Sequence, residues 1–223
     1  METATKSLLR KPIFTIAEAK RRTNSPEYAR LLLHRLEKSK KITRIGKGVY
    51  ATTIDIHAIA SNIHFPSYIS FLSASAIHGF TTAIPIAMQV ATSKRYKGIT
   101  VMNYDITFHK IPLGDAIREE RNGVYAFIAE PETLLVDAFL NPRAMGNFSE
   151  IEGVFQNIRN PNAEKICKRL LGIQSKKICR QVGYLLEKYH RIDLGIPVMD
   201  KNYYELNPFE KGKNINKKWR LKV

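Results

Sequence analysis

The chain has 223 residues, 44% of them hydrophobic and 25% charged; 36 Lys/Arg against 20 Asp/Glu give a net charge of +16 and a pI near 9.9. That length suits one large or two smaller domains, and the apolar share excludes global disorder. The positive surplus points to a polyanionic partner, nucleic acid ahead of an anionic membrane surface. The surplus is uneven: residues 1–51 hold 13 Lys/Arg and 4 Asp/Glu, a net of +9, and the remaining 172 a net of +7. The N-terminus shows no apolar leader segment, and no run approaches the roughly 20 apolar residues of a spanning helix, so a cytoplasmic location is expected. Cys167 and Cys179 are the only cysteines. They are too few for a disulfide framework or zinc ribbon and read as buried free thiols.

In chain order, a short helix is predicted over Thr15–Arg22, with Ile13, Ile16, Ala17 and Ala19 as its apolar stripe. Thr23-Asn24-Ser25-Pro26 punctuates it: Ser25 suits an N-cap, and Pro26 at the first helical position forgoes an N–H that has no partner there. A second helix follows over Glu27–Ser39, where Ala29, Leu32, Leu33 and Leu36 recur at i, i+3, i+4 and i+7 as a core-facing stripe. Ile42–Tyr50 then reads as a hairpin, with Gly46-Lys47-Gly48 supplying positive-φ positions, Arg44 and Lys47 outward, and Ile42, Ile45 and Val49 folded back. Helix, turn, helix and basic β-wing describe a winged helix-turn-helix for duplex DNA.

Residues 52–64 read as a connecting segment and Ser67–His78 as one helix, capped by Ser67 with Gly79 just past its end. Strand patterns cover Met88–Thr92, Ile99–Met102, Ile106–Ile111 and Val124–Ile128; helices follow at Pro131–Leu140, Glu150–Ile158, Ala163–Leu171 and Lys176–Lys188. The expected fold class is therefore α+β: an N-terminal winged helix-turn-helix over 1–55 and a larger mixed α/β domain over 60–223, ending in helices and an extended tail. From Lys201 to Val223 that tail carries seven Lys/Arg and two Asp/Glu. It has two readings: a second nucleic-acid contact, or an extension that packs Tyr203, Tyr204, Phe209 and Trp219 onto the body.

The candidate DNA-binding residues are Ser25, Tyr28, Arg30, His34 and Arg35 on the second helix, placed to reach base edges in the major groove. Lys40, Lys41, Arg44 and Lys47 are placed to hold phosphates, which sets affinity and salt dependence rather than sequence choice. Lys20, Arg21 and Arg22, at the end of the preceding helix, are placed to reach the backbone of the same duplex. The six histidines are scattered without a metal-ligand spacing, so no metal is expected. Asp115, Glu119, Glu120, Glu130, Glu132 and Asp137 cluster in sequence, but a nuclease's Asp followed by Glu-x-Lys is missing. No P-loop, G-x-G-x-x-G or G-x-S-x-G occurs, so neither a cofactor nor an enzymatic activity is expected.

With these residues in hand, the chain resembles the AbiEi antitoxins, transcriptional regulators of type IV abortive-infection toxin–antitoxin systems. The resemblance runs through Ile45-Gly46-Lys47-Gly48-Val49-Tyr50, Tyr68-Ile69-Ser70, Ser75-Ala76-Ile77-His78-Gly79-Phe80, Ile106–Ile111, Glu130–Asp137, Gln181–Glu187 and Trp219-Arg220-Leu221. It implies an N-terminal domain that represses its own promoter by binding repeats there. It also implies a C-terminal domain that counteracts a nucleotidyltransferase-like toxin without requiring a stable complex. His78, Gly79, Glu132 and Asp137 are the matching C-domain positions. Their structural reading is a helix cap for Gly79 and helix-start and packing polar groups for Glu132 and Asp137. The rival readings are a winged-helix transcription factor with a ligand-sensing or dimerising C-terminal domain, a DNA-processing nuclease docked by its wing, and an RNA-binding module.

Overall fold

The computed structural model describes residues 2–198 and 200–223. Its architecture is mixed α+β, with helices and three separate sheets. The N-terminal part contains α1 (Glu2–Leu9), β1 (Ile13–Thr15), α2 (Ile16–Thr23), α3 (Pro26–Lys38), β2 (Thr43–Gly46) and β3 (Val49–Ala51). β3 is central, pairing antiparallel with both β1 and β2. Leu8, Phe14, Ala19, Ala29, Leu32, Leu33, Leu36, Ile42 and Tyr50 form the core of this part. The stripe expected on α3 is therefore the buried one. On α2 the buried residue is Ala19, while Ala17 faces solvent. Phe14, stacked on Tyr50 with ring centroids 5.9 Å apart, supplies what Ala17 was expected to add.

Residues 52–64 do more than connect. They contain α4 (Ile56–Asn62), whose N-cap Asp55 accepts a hydrogen bond from the Ala58 N–H at 2.8 Å. At seven residues α4 is too short to display a convincing helical repeat. The single helix expected over Ser67–His78 is a strand followed by a helix, β4 (Ser67–Ile69) and α5 (Phe71–Ile77). Tyr68 and Ile69 are both buried because β4 lies inside a sheet between two partners, and that pairing outweighs local helix propensity. Gly79 takes a φ of +72° just after α5, the helix-terminating role expected of it.

The body continues through β5 (Met88–Thr92), β6 (Ile99–Val101), β7 (Tyr104–Lys110), β8 (Ala116–Arg121) and β9 (Val124–Ala129). With β4 they form a six-stranded mixed sheet of order β6-β7-β5-β4-β9-β8. α6 (Pro131–Leu140), a 3-10 turn at Pro142–Met145, α7 (Phe148–Asn157), α8 (Ala163–Ile173) and α9 (Lys176–His190) follow, and the main core collects side chains from these helices and from the sheet. Neighbouring residues of β5 serve opposite faces, Ala91 in the main core and Val90 in a second cluster. That second cluster joins Val90, Val101, Ile106 and Ile59 to Ala51, with Ile13 and Ile45 packed against it. The N-terminal sheet thus rests on the body through its own apolar side chains.

The tail forms a small sheet of β10 (Tyr204–Glu205), β11 (Ile215–Asn216) and β12 (Leu221–Lys222). Trp219 and Leu221 are buried in the main core, so the packing reading holds for them, while Tyr203 and Phe209 stay exposed. A Cβ on Gly183 of α9 would overlap the Trp219 indole, so glycine is what lets the ring seat there. Cys167 and Cys179 are free but only half-buried, less enclosed than expected. No described helix is long and apolar enough to cross a membrane.

Candidate nucleic-acid interface

Capping fixes the two N-terminal helices. Thr15 Oγ1 accepts from the Glu18 N–H at 3.2 Å, and Glu18 Oε2 accepts from the Thr15 N–H at 2.9 Å, a reciprocal capping box. Lys11 pairs with the other Glu18 oxygen at 2.6 Å. Burial of the Glu18 carboxyl raises its pKa, but the Lys11 and Thr15 hydrogen bonds outweigh this and hold it below the usual carboxylate range. α2 ends on Asn24 in the left-handed region, and Ser25 Oγ then caps α3 by accepting from the Tyr28 N–H at 3.2 Å. Turn and cap together set the angle between the two helices.

The hairpin differs from expectation at its tip. Of its two glycines only Gly48 has a positive φ (+72°); Gly46 belongs to β2, and the register shifts between Arg44 and Gly46. The bulge takes up the extra residue, so one positive-φ position suffices. Gly48 lies close against Ile16, and its carbonyl accepts from the Ile16 N–H at 2.8 Å, which anchors the tip to the start of α2. Lys47 is left exposed beside this anchor, and Arg44 Nε donates to the Gly46 carbonyl at 3.2 Å. Ile42 and Tyr50 are buried, and Ile45 and Val49 half-buried, as the alternation implied.

The residues singled out from the sequence separate into two groups. Arg30, His34 and Arg35 on α3, and Lys40, Lys41, Arg44 and Lys47 beyond it, all stand exposed on the N-terminal part. Ser25 and Tyr28 are half-buried: the Ser25 hydroxyl is occupied in capping, and the Tyr28 ring packs against the local core. Leu31 belongs by helical period to the same outer face as His34, although it was not among the candidate DNA contacts. It is 45% exposed on the outer face of α3, one helical turn from His34 and Arg35. Its signal was an apolar residue off the Ala29–Leu36 stripe. Arg22, expected near the backbone of a bound duplex, donates to the Ser7 hydroxyl.

The sequence-clustered carboxylates take up separate hydrogen bonds and ion pairs rather than facing a common centre. Glu130 pairs with Lys165 at 2.6 Å, Glu119 pairs with Arg121 at 2.7 Å, and Glu132 accepts from the Asn162 N–H at 3.0 Å. Asp137 lies past the middle of α6 rather than at its start, fully buried. One oxygen meets Arg169 Nη2 at 2.7 Å, and the other accepts from the Tyr68 and Ser70 hydroxyls at 2.9 and 2.8 Å. Burial pushes the Asp137 carboxyl up from its ordinary value, against the pull of Arg169, Ser70 and Tyr68, and it drives the Tyr68 hydroxyl strongly upward. Among the described residues no three His, Cys, Asp or Glu stand together as a metal-holding group.

Two likenesses bear on this geometry. Over the whole fold, the chain resembles the crystal structure of the RV2827C protein from Mycobacterium tuberculosis, with a TM-score of 0.57 and 15% identity, covering 97% of this chain and 88% of that chain. At that identity the likeness concerns the fold. Residues 4–53, the segment that holds the paired helices and hairpin, match the family of AbiEi antitoxins described as transcriptional regulators. The resemblance noted from the sequence is thereby shown for this segment. No curated protein matches the chain.

Proposed function

We propose that the protein is a DNA-binding transcriptional repressor and antitoxin of a type IV toxin–antitoxin system, with residues 1–55 as a winged helix-turn-helix and 60–223 as the antitoxin domain. The observation that carries this reading is the solvent-facing set Arg30, His34, Arg35, Lys40, Lys41 and Lys47, each without an ion pair among the described residues, on a segment that matches AbiEi regulators. The Lys and Arg side chains of this set, unmatched by carboxylates among the described residues, are available to phosphates. In this reading α3 enters the major groove, with Arg30, His34 and Arg35 at base edges and Leu31 against a thymine methyl. Lys40, Lys41, Arg44 and Lys47 hold the backbone. Ser25 and Tyr28 contribute through the shape of the turn.

The protein would bind repeats upstream of its own gene and counteract a nucleotidyltransferase-like toxin by an action that needs no stable complex between them. It would perform no chemistry of its own and work in the cytoplasm. Duplex DNA from that upstream region should bind with steep salt dependence, losing about 10³-fold or more between 50 and 200 mM salt if several phosphates are contacted. Affinity that is flat across this range would refute the DNA-binding reading. Arg30→Ala should relax sequence preference, and co-expression with the neighbouring toxin gene tests the antitoxin half by growth rescue.

A further inference from the structure

A cavity of the body, lined by no residue of the basic N-terminal part, lies between α8, α9 and Leu194, Gly195, Ile196, Pro197 and Asp200. Its volume is about 610 Å³, within the range of small-molecule sites. Cys167 and Leu170 from α8, Cys179 from α9, and Leu194, Ile196 and Pro197 from the overlying segment make its walls apolar. Leu171, also in the lining, is a large apolar side chain left 76% exposed. Burial pushes the Cys179 thiol up, and the neighbouring Cys167 adds to this, so the Cys179 sulfur acts as neutral wall.

Only three of the lining side chains are charged, Lys176, Arg180 and Asp200. Arg180 is 2% exposed and fully engaged: Nη2 lies 2.8 Å from Asp200 Oδ2, Nη1 donates to the Asn202 carbonyl at 2.6 Å, and the guanidinium lies over the Tyr204 ring. The Asn202 N–H also donates to Asp200 at 2.9 Å, and with Arg180 it holds that carboxyl below its ordinary range. Lys176 shares the same carboxylate from 3.6 Å, with its side chain 70% exposed. One carboxylate facing two cations leaves a single positive charge unmatched at this end. Lys176 is also the first residue of α9, where the helix dipole adds to the attraction for an anion.

We propose that this cavity binds a small apolar molecule carrying one anionic head group, its body against the Cys167–Leu170–Cys179 wall and its head at Lys176. The buried Arg180, committed to the half-buried Asp200, positions the charged end without being available to the ligand. This site is independent of the DNA-binding reading.

The test uses the full chain with decanoate as probe and decanol as its neutral counterpart. Cys167 and Cys179 are the only cysteines, so iodoacetamide alkylation followed by peptide mass spectrometry reports on this cavity alone. Decanoate at ten times its dissociation constant should slow alkylation about tenfold and saturably, and decanol much less. Lys176→Glu, which places an acid where a helix start favours one, should raise the decanoate concentration needed by about tenfold, a loss of roughly one ion-pair increment in binding. It should leave decanol unchanged. Alkylation unaffected by decanoate, or equal protection by both compounds in both proteins, would overturn the proposal.

Discussion

The N-terminal part and the body treat charge in opposite ways. On α3 and the hairpin, Arg30, Arg35, Lys40, Lys41 and Lys47 face solvent with no ion pair among the described residues, whereas in the body Arg169 is matched to the buried Asp137 and the buried Arg180 to Asp200. The cores differ too: the first rests on nine buried apolar residues, and the second on a cluster spanning β4, β9 and α5–α9. A free cation can serve a partner, while a buried one is committed to the fold. The contrast therefore separates residues whose loss should change binding from those whose loss should change stability.

The largest effect is expected at Asp137→Ala. It strips the partner from a buried guanidinium and two hydroxyls and should cost about 3–5 kcal/mol in chemical denaturation; a loss under about 1 kcal/mol would mean that Arg169 finds water instead. Leu33→Ala empties the smaller core and should cost about 2–5 kcal/mol. Trp219 is the only tryptophan and lies in the body, so its fluorescence separates the two regions. Leu33→Ala should abolish DNA binding with little shift in the fluorescence midpoint; an equal shift would show that both parts unfold as one through the Ile13–Ile45–Ala51 contact.

Thr15→Ala removes half of the capping box and should cost about 1 kcal/mol. The same site gives a pH signature. The folded-state pKa of Glu18 is depressed, so its contribution is present above the unfolded value near 4.5 and is lost as pH falls through the folded one. Denaturation followed by circular dichroism should show this loss in the wild type and a flatter profile in Glu18→Gln. Last comes Lys47→Ala, which should move stability by less than about 0.5 kcal/mol yet weaken binding to all duplexes and lower the salt slope by about 1. A change confined to one DNA sequence would move Lys47 from the backbone to the bases.

How much was legible in the sequence follows the same division. α3 could be read because thirteen residues repeat an apolar stripe between a capping serine and a polar end, and α6 because Pro131 marks its start. Arg30 and Arg35 could be read from the helix period, and Lys40, Lys41, Arg44 and Lys47 from the turn and hairpin that carry them. β1 could not, since three residues carry no periodicity and its identity comes from pairing with β3. β4 read as helix because its burial on both sides is a property of its neighbours. The Asp137–Arg169 pair was equally hidden: thirty-two positions separate its members, and only the packing of α8 against α6 joins them.

The seating of Trp219 over Gly183 carries a consequence in time. During synthesis the paired helices and hairpin leave the ribosome long before residues 219–221, and they already contain the nine apolar side chains of their own cluster. The body lacks the indole that fills its core until Trp219 has been made. Domains generally fold as units, the N-terminal one first as the chain emerges. The nascent chain thus passes through a stage at which its basic face is complete while the remainder still waits for its closing wedge.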